Sequence, residues 1–200
     1  MILKKCLSLA AACGMAAFSG CQNCAQTAPQ TALVVIDLQN DYFPGGKFPL
    51  WNTENTMKNA LTMISRAKEQ GVPVILVKHV GSPKGAFLAE GSPGVELRPE
   101  ILNAAPGAPI VIKKYADSFD STELKATLDK LGVKKLLLCG MMTQNCVTHT
   151  AISPEAAAYE VEVVSDASTT VSEVIHKVAL NALSRRVKLT TTAEAFTPKK

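Results

Sequence analysis

Two rhythms of apolar residues alternate along the chain. Nearly uninterrupted apolar runs recur at residues 32–36 (A-L-V-V-I), 73–77, 110–112, 136–139, 161–164 and 187–189. Each is too short for a helix, and such runs read as strands of a parallel sheet buried on both faces. Between them the spacing changes to that of a helix. Residues 54–70 set Met57, Leu61, Ile64 and Ala67 on one face, with Gly71 as the stop. Asp120 and Glu123 form a capping-box pair opening a helix through Leu124, Leu128 and Leu131 to Gly132. Thr143 is placed to cap a helix that starts after Gly140. Pro154 interrupts that helix, and Ser153 is able to cap its restart. Thr170 and Glu173 cap a further helix that turns Val174, Ile175, Val178, Ala182 and Leu183 inward. The last strand, 187–189, is placed at an edge. This order predicts an α/β fold: three layers, doubly wound, with a mostly parallel six-stranded sheet and helices on both faces.

Length and composition narrow the field. Two hundred residues suit one domain with a sizeable core, and 47% hydrophobic with 19% charged residues exclude a disordered chain. The net charge of +4 includes Lys4 and Lys5, and no basic run or aromatic-interleaved patch stands out. Nucleic acid is therefore not an expected partner. Four of the six cysteines (Cys6, Cys13, Cys21, Cys24) precede residue 25, which is no disulfide framework.

Residues 1–21 have a basic start followed by small and apolar residues without an acid, the pattern of a secretory signal. Phe18-Ser19-Gly20-Cys21 resembles a bacterial lipobox, with Cys21 as the lipidated residue. A redox pair Cys21-Gln-Asn-Cys24 is the competing reading, but no thioredoxin-like helix start follows it. The expected organisation is a leader over 1–21, a polar tether over 22–31 and one domain over 32–200. The expected location is the bacterial cell envelope, periplasmic, with the membrane engaged only through the lipid anchor.

Ligands of open parallel sheets bind outside the carboxyl ends of the strands. Three such ends carry reactive groups. Asp37 abuts the first apolar run, Lys113 the third, and Cys146 opens the helix after the fourth. A helix N-terminus lowers the pKa of a thiol and offers free N–H groups to an oxyanion. Cys146 is thus expected to be a reactive thiolate, against the alternative of a small buried hydrophobe. His149, three residues on, is a second candidate base. His79 alone reads as a hydrogen-bonded loop residue, and no Asp-x-His beside it offers metal spacing. Phe43, Trp51, Tyr115 and Phe119 are candidate walls of a substrate pocket, with core packing the alternative for Phe119.

Three segments resemble the motifs of the isochorismatase-like cysteine hydrolases, the superfamily of nicotinamidase and N-carbamoylsarcosine amidase. They are V35-I36-D37-L38-Q39-N40-D41, V111-I112-K113-K114-Y115-A116-D117-S118-F119 and G140-M141-M142-T143-Q144-N145-C146-V147. The resemblance spans about residues 32–196 and implies Asp37, Lys113 and Cys146 as the catalytic set. It implies a cis peptide at Met141–Met142, an oxyanion hole from the Met142 and Cys146 N–H groups, and cleavage of a small-molecule amide or related C–N bond through a thioester. It also implies a homo-oligomer. Isochorismatase itself lacks the cysteine, so its presence here favours amide hydrolysis over the non-amide reaction. The Asp-x-His…His metal set of nicotinamidases is absent, so neither a metal nor another cofactor is expected. Pro154 falls in a segment that is usually unbroken helix, where a kink is expected. The alternative from another class is a non-catalytic envelope lipoprotein that retains the fold.

Overall fold

The computed structural model describes residues 31–196. The leader, Cys21 and the tether up to residue 30 lie outside the described residues. Six strands form one sheet in the order β3-β2-β1-β4-β5-β6. They are β1 (Thr31–Ile36), β2 (Val74–His79), β3 (Ile110–Lys113), β4 (Lys135–Met141), β5 (Glu160–Thr169) and β6 (Lys188–Thr190). Every pairing is parallel. The helices are α1 (Thr53–Glu69), α2 (Pro99–Ala104), α3 (Leu124–Lys130), α4 (Thr148–Ala151) and α5 (Glu173–Leu183).

The period of two along a strand explains the layers. Leu33 and Val35 pack with Met57, Ala60, Met63 and Ile64 of α1 and Ile101 of α2. Their neighbours Ala32, Val34 and Ile36 pack on the opposite face with Leu124 and Leu128 of α3, Ala151 of α4 and Leu183 of α5. The sheet is therefore covered on both sides, as the uninterrupted apolar runs require. The one buried charge among those runs, Glu162 on β5, is held by Lys135 of β4 at 2.8 Å and Lys188 of β6 at 2.7 Å.

Several local expectations are corrected. β4 does not stop at Gly140 but continues to Met141. Gly140 has φ +125°, and a Cβ there would lie 1.9 Å from the Ile36 carbonyl oxygen, so only glycine lets β1 and β4 approach this closely. The Asp120/Glu123 capping box does not form. Ser121 is left-handed at φ 55°, and the Thr122 hydroxyl accepts from the Leu124 N–H at 3.2 Å instead. Helix α5 is capped by Ser172, whose hydroxyl accepts from the Ile175 N–H at 3.4 Å, rather than by Thr170. The expected kink at Pro154 is a break. Helix α4 ends at Ala151, and Pro154 opens a separate 3₁₀ turn over Glu155–Ala158. The Ser153 hydroxyl makes no hydrogen bond and caps nothing.

The largest correction concerns the outer face of α5. Val174 is 71% exposed and Val178 64%, with Ile175 and Ala182 exposed beside them. The buried face is His176, Ala179 and Leu183. Because the helix is apolar on more than one side, periodicity alone chose the wrong side.

Candidate active site

The parallel register brings the carboxyl ends of four strands to one rim. Ile36 pairs with Val77 on one side and Gly140 on the other, and His79 pairs with Lys113. Asp37 follows Ile36 directly in a left-handed conformation, φ 53°, which aspartate tolerates better than most residues. Its N–H donates to the Val77 carbonyl at 3.0 Å. Lys113 is the last residue of β3 and is 1% exposed, so its side chain is drawn across the sheet end rather than into solvent. Cys146 sits on a π turn, Thr143–Val147, immediately after β4 and is 3% exposed. The Met141–Met142 peptide that leads into this turn is cis.

The three side chains meet. The Lys113 ammonium lies 2.8 Å from Asp37 Oδ2, with both side chains fully buried, and donates to Cys146 Sγ at 3.1 Å. It also donates to the Tyr115 carbonyl at 3.1 Å and lies 3.3 Å from His79 Nδ1. At 2.8 Å the Lys113 ammonium is close enough to Asp37 Oδ2 to donate to it, and the same carboxylate stands at hydrogen-bonding distance from the Cys146 thiol. A buried carboxylate beside a thiol is suited to accept that thiol's proton.

The electrostatics overturn the expected thiolate. Burial, and next the Asp37 charge, push the Cys146 thiol up to about 12, against the opposing pull of Lys113. A helix N-terminus is worth about 0.3–1 kcal/mol, too little to offset loss of solvation. Thr143 caps no helix here, because the cap position falls on Met142 and makes no side-chain bond. At rest Cys146 is a thiol. Burial pulls Lys113 down, but Asp37 and Cys146 outweigh it and hold its pKa above the ordinary value. Burial and the adjacent ammonium lower that of His79, leaving it a neutral imidazole. Burial, with the Asp37 and Cys146 charges, raises that of the Tyr42 phenol.

Asp37, His79 and Cys146 present ligand atoms within 4.8 Å of one another, the separation a metal site needs. The Lys113 ammonium already stands at hydrogen-bonding or ion-pairing distance from all three. A divalent ion there would face a fixed positive charge, and the donor set therefore does not fit a metal unless Lys113 leaves.

Four residues that the sequence left aside complete the cluster. His79 lies in it, although it reads as a loop residue from the sequence. The carboxyl end of β2 was a signal for it, since the other central strand ends were used. Gln39, wholly buried, accepts from the His79 N–H at 2.9 Å and donates to the carbonyls of His79 at 2.7 Å and Val95 at 2.6 Å. It thereby ties β2 to the loop before α2. His176 of α5 bonds Thr143 Oγ1 through Nδ1 at 2.9 Å, bracing the turn that carries Cys146. Tyr42 is buried within reach of the Asp37 and Cys146 charges.

The candidate walls divide. Trp51 packs on His176 with ring centroids 5.8 Å apart, and its peptide N–H donates to the Thr170 carbonyl at 2.9 Å. Phe43 lies under the Arg98 guanidinium at 4.9 Å and lines a surface cavity of about 400 Å³ with Met57 and Glu54. Tyr115 offers its carbonyl to Lys113, while its side chain is exposed. Phe119 stacks on Tyr159 at 6.2 Å and packs with Val111 and Leu124 in the core cluster that also contains Cys146. His149 is exposed, and its Nδ1 faces the Asn145 carbonyl at 2.9 Å, so this alternative base does not point at Cys146.

The isochorismatase domain model matches residues 31–195. The isochorismatase family protein YddQ of Bacillus subtilis (strain 168) is 35% identical over 177 residues, covering 83% of this chain and 98% of that protein. Nicotinamidase 3 of Arabidopsis thaliana is 30% identical over 165 residues, covering 76% of this chain and 80% of the relative. The crystal structure of an isochorismatase-like hydrolase from Alkaliphilus metalliredigens superposes with a TM-score of 0.75 at 25% identity, covering 82% and 96% of the two chains.

Proposed function

The chain belongs to the isochorismatase family, a hydrolase family with amidases among its members, and from that premise we propose that it is a cysteine amidohydrolase acting on a small molecule. The observation that carries this reading is the buried cluster of the Cys146 thiol, the Asp37 carboxylate and the Lys113 ammonium touching both.

Burial and the neighbouring Asp37 charge push the Cys146 thiol up to about 12 and so favour its protonated form. Attack therefore requires the proton to pass to a local acceptor as the C–S bond forms. Asp37 takes it, and Cys146 Sγ adds to the amide carbonyl carbon. Negative charge then resides on the substrate oxygen, where the Met142 and Cys146 backbone N–H groups receive it. Asp37 returns the proton to the leaving nitrogen as the C–N bond breaks, giving ammonia or an amine and a thioester on Cys146. Water, deprotonated by the same carboxylate, hydrolyses the thioester and regenerates the thiol. Lys113 orients Asp37 through their ion pair and stabilises sulfur whenever that atom is anionic.

Trp51 and Phe43, on the loop that follows β1, are the side chains assigned to the substrate in this reading. The test is ammonia release from a panel of small primary amides and ureido compounds. Turnover lost in Cys146→Ala and Asp37→Asn supports the proposal. Turnover equal in wild type and Cys146→Ala removes it.

A further inference from the structure

We propose that the cavity beside the Ser153–Pro154 break binds a small organic carboxylate, with the Arg186 guanidinium and the Ser153 hydroxyl as its donors. The apolar wall of the cavity covers a short alkyl chain. The site lies at the amino ends of β5 and β6, the opposite edge of the parallel sheet from Asp37, Lys113 and Cys146. It therefore stands apart from the amidohydrolase reading.

The cavity opens where α4 breaks off. That helix ends at Ala151, and Pro154, which has no N–H to continue it, starts the separate 3₁₀ turn Glu155–Ala158. Between this segment and the entry to β6 the chain leaves about 320 Å³, a volume within the range of small-molecule sites. Ala151, Ala156 and Val161 line it and are all buried.

Two polar groups in the lining lack partners. Ser153 is 5% exposed, and its hydroxyl has no hydrogen-bond partner among the described residues. A buried hydroxyl left unpaired costs stability, which a ligand that bonds it restores. Arg186 is exposed, and its guanidinium makes no hydrogen bond or ion pair among the described residues. Lys188 also lines the cavity, but its ammonium is held by Glu162 at 2.7 Å. Among the described residues none of the lining is acidic. Glu155 and Glu160 are close in sequence but outside the wall, and Glu160 stands 3.9 Å from Lys135. The unpaired charge is thus positive, which disfavours a cation. A guanidinium fork matches the two oxygens of a carboxylate, and the apolar wall favours an alkyl carboxylate over an inorganic anion.

The test is titration of the full chain with sodium propionate at constant ionic strength, followed by amide proton–nitrogen NMR. A saturable shift is expected at the Val187 amide, beside Arg186, with the millimolar affinity of so small a ligand. Butanone, similar in shape but uncharged, is expected to bind at least about tenfold more weakly, as is propionate to Arg186→Gln. Ser153→Ala is expected to lose about threefold or more in affinity. Its melting temperature without propionate equals or exceeds wild type, because the variant removes an unpaired buried hydroxyl. No saturable shift at Val187 up to about 50 mM propionate overturns the proposal. So does an equal shift with sodium chloride, or wild-type affinity in Arg186→Gln. Propionate bound at the reactive cluster would shift other amides, and a protein that releases no ammonia would leave this result standing.

Discussion

Replacing Lys113 with methionine isolates the electrostatics on which the site depends. Methionine fills most of the volume of the lysine stem, so the packing loss is small and the change is chiefly one of charge. At 2.8 Å the Coulomb attraction to Asp37 is about 6 kcal/mol at an effective dielectric of 20. Desolvation of two fully buried groups offsets much of it, so the pair is a weak source of stability while each partner alone is expensive. Lys113→Met is therefore expected to destabilise the fold by about 3–5 kcal/mol, the usual cost of leaving one buried charge uncompensated. Asp37→Asn preserves a residue type that tolerates φ 53° and should cost about as much, because it leaves the ammonium stranded. The double variant removes both charges. Its destabilisation should fall short of the sum of the single changes by at least about 2 kcal/mol, while hydrolysis is abolished in all three. Urea denaturation of the four proteins at pH 7, with a shared m-value, provides the cycle. Additive costs within about 0.5 kcal/mol would refute the argument that these residues are coupled and kept for chemistry.

Other predictions follow from single positions. Glu162 is buried, which alone would raise its carboxyl pKa, but its bonds to Lys135 and Lys188 hold it below the ordinary 4.5. A depressed carboxyl contributes stability that is present above 4.5 and lost as pH falls through the folded value. Glu162→Gln should thus cost about 1–3 kcal/mol at pH 7, with the gap to wild type closing as denaturation is followed into more acid solution. Gly140→Ala should cost more than about 4 kcal/mol, or prevent folding, since the new methyl group meets the β1 backbone at 1.9 Å; expression and melting temperature report it. Val174→Lys should leave the melting temperature within about 2 °C of wild type because the side chain is 71% exposed, whereas Leu183→Ala on the same helix should cost about 2–4 kcal/mol.

The elements that could be read from the sequence are those fixed by local pattern. The six apolar runs became six strands because a buried parallel strand tolerates few polar residues. Asp37, Lys113 and Cys146 were legible because each abuts such a run or follows it closely. What could not be read depends on which strands are neighbours. His79 joins the cluster only through the pairing of β2 with β3, a register no local window contains. The thiol's protonation was misjudged for a similar reason. The helix end is visible in sequence, but the burial of Cys146 and the nearness of Asp37 are tertiary facts, and they dominate. Two of the expected caps, Asp120 and Thr170, failed where another hydroxyl lay two residues away, Thr122 and Ser172, because cap choice follows backbone conformation that composition does not reveal.

The most direct test of the account is rapid-quench mass spectrometry of the full chain with any amide that releases ammonia, followed by peptide mapping. The account predicts a transient acyl group on Cys146, absent in Cys146→Ala and formed far more slowly in Asp37→Asn. Ammonia release that persists in Cys146→Ala, with no acyl group on any cysteine, would contradict it.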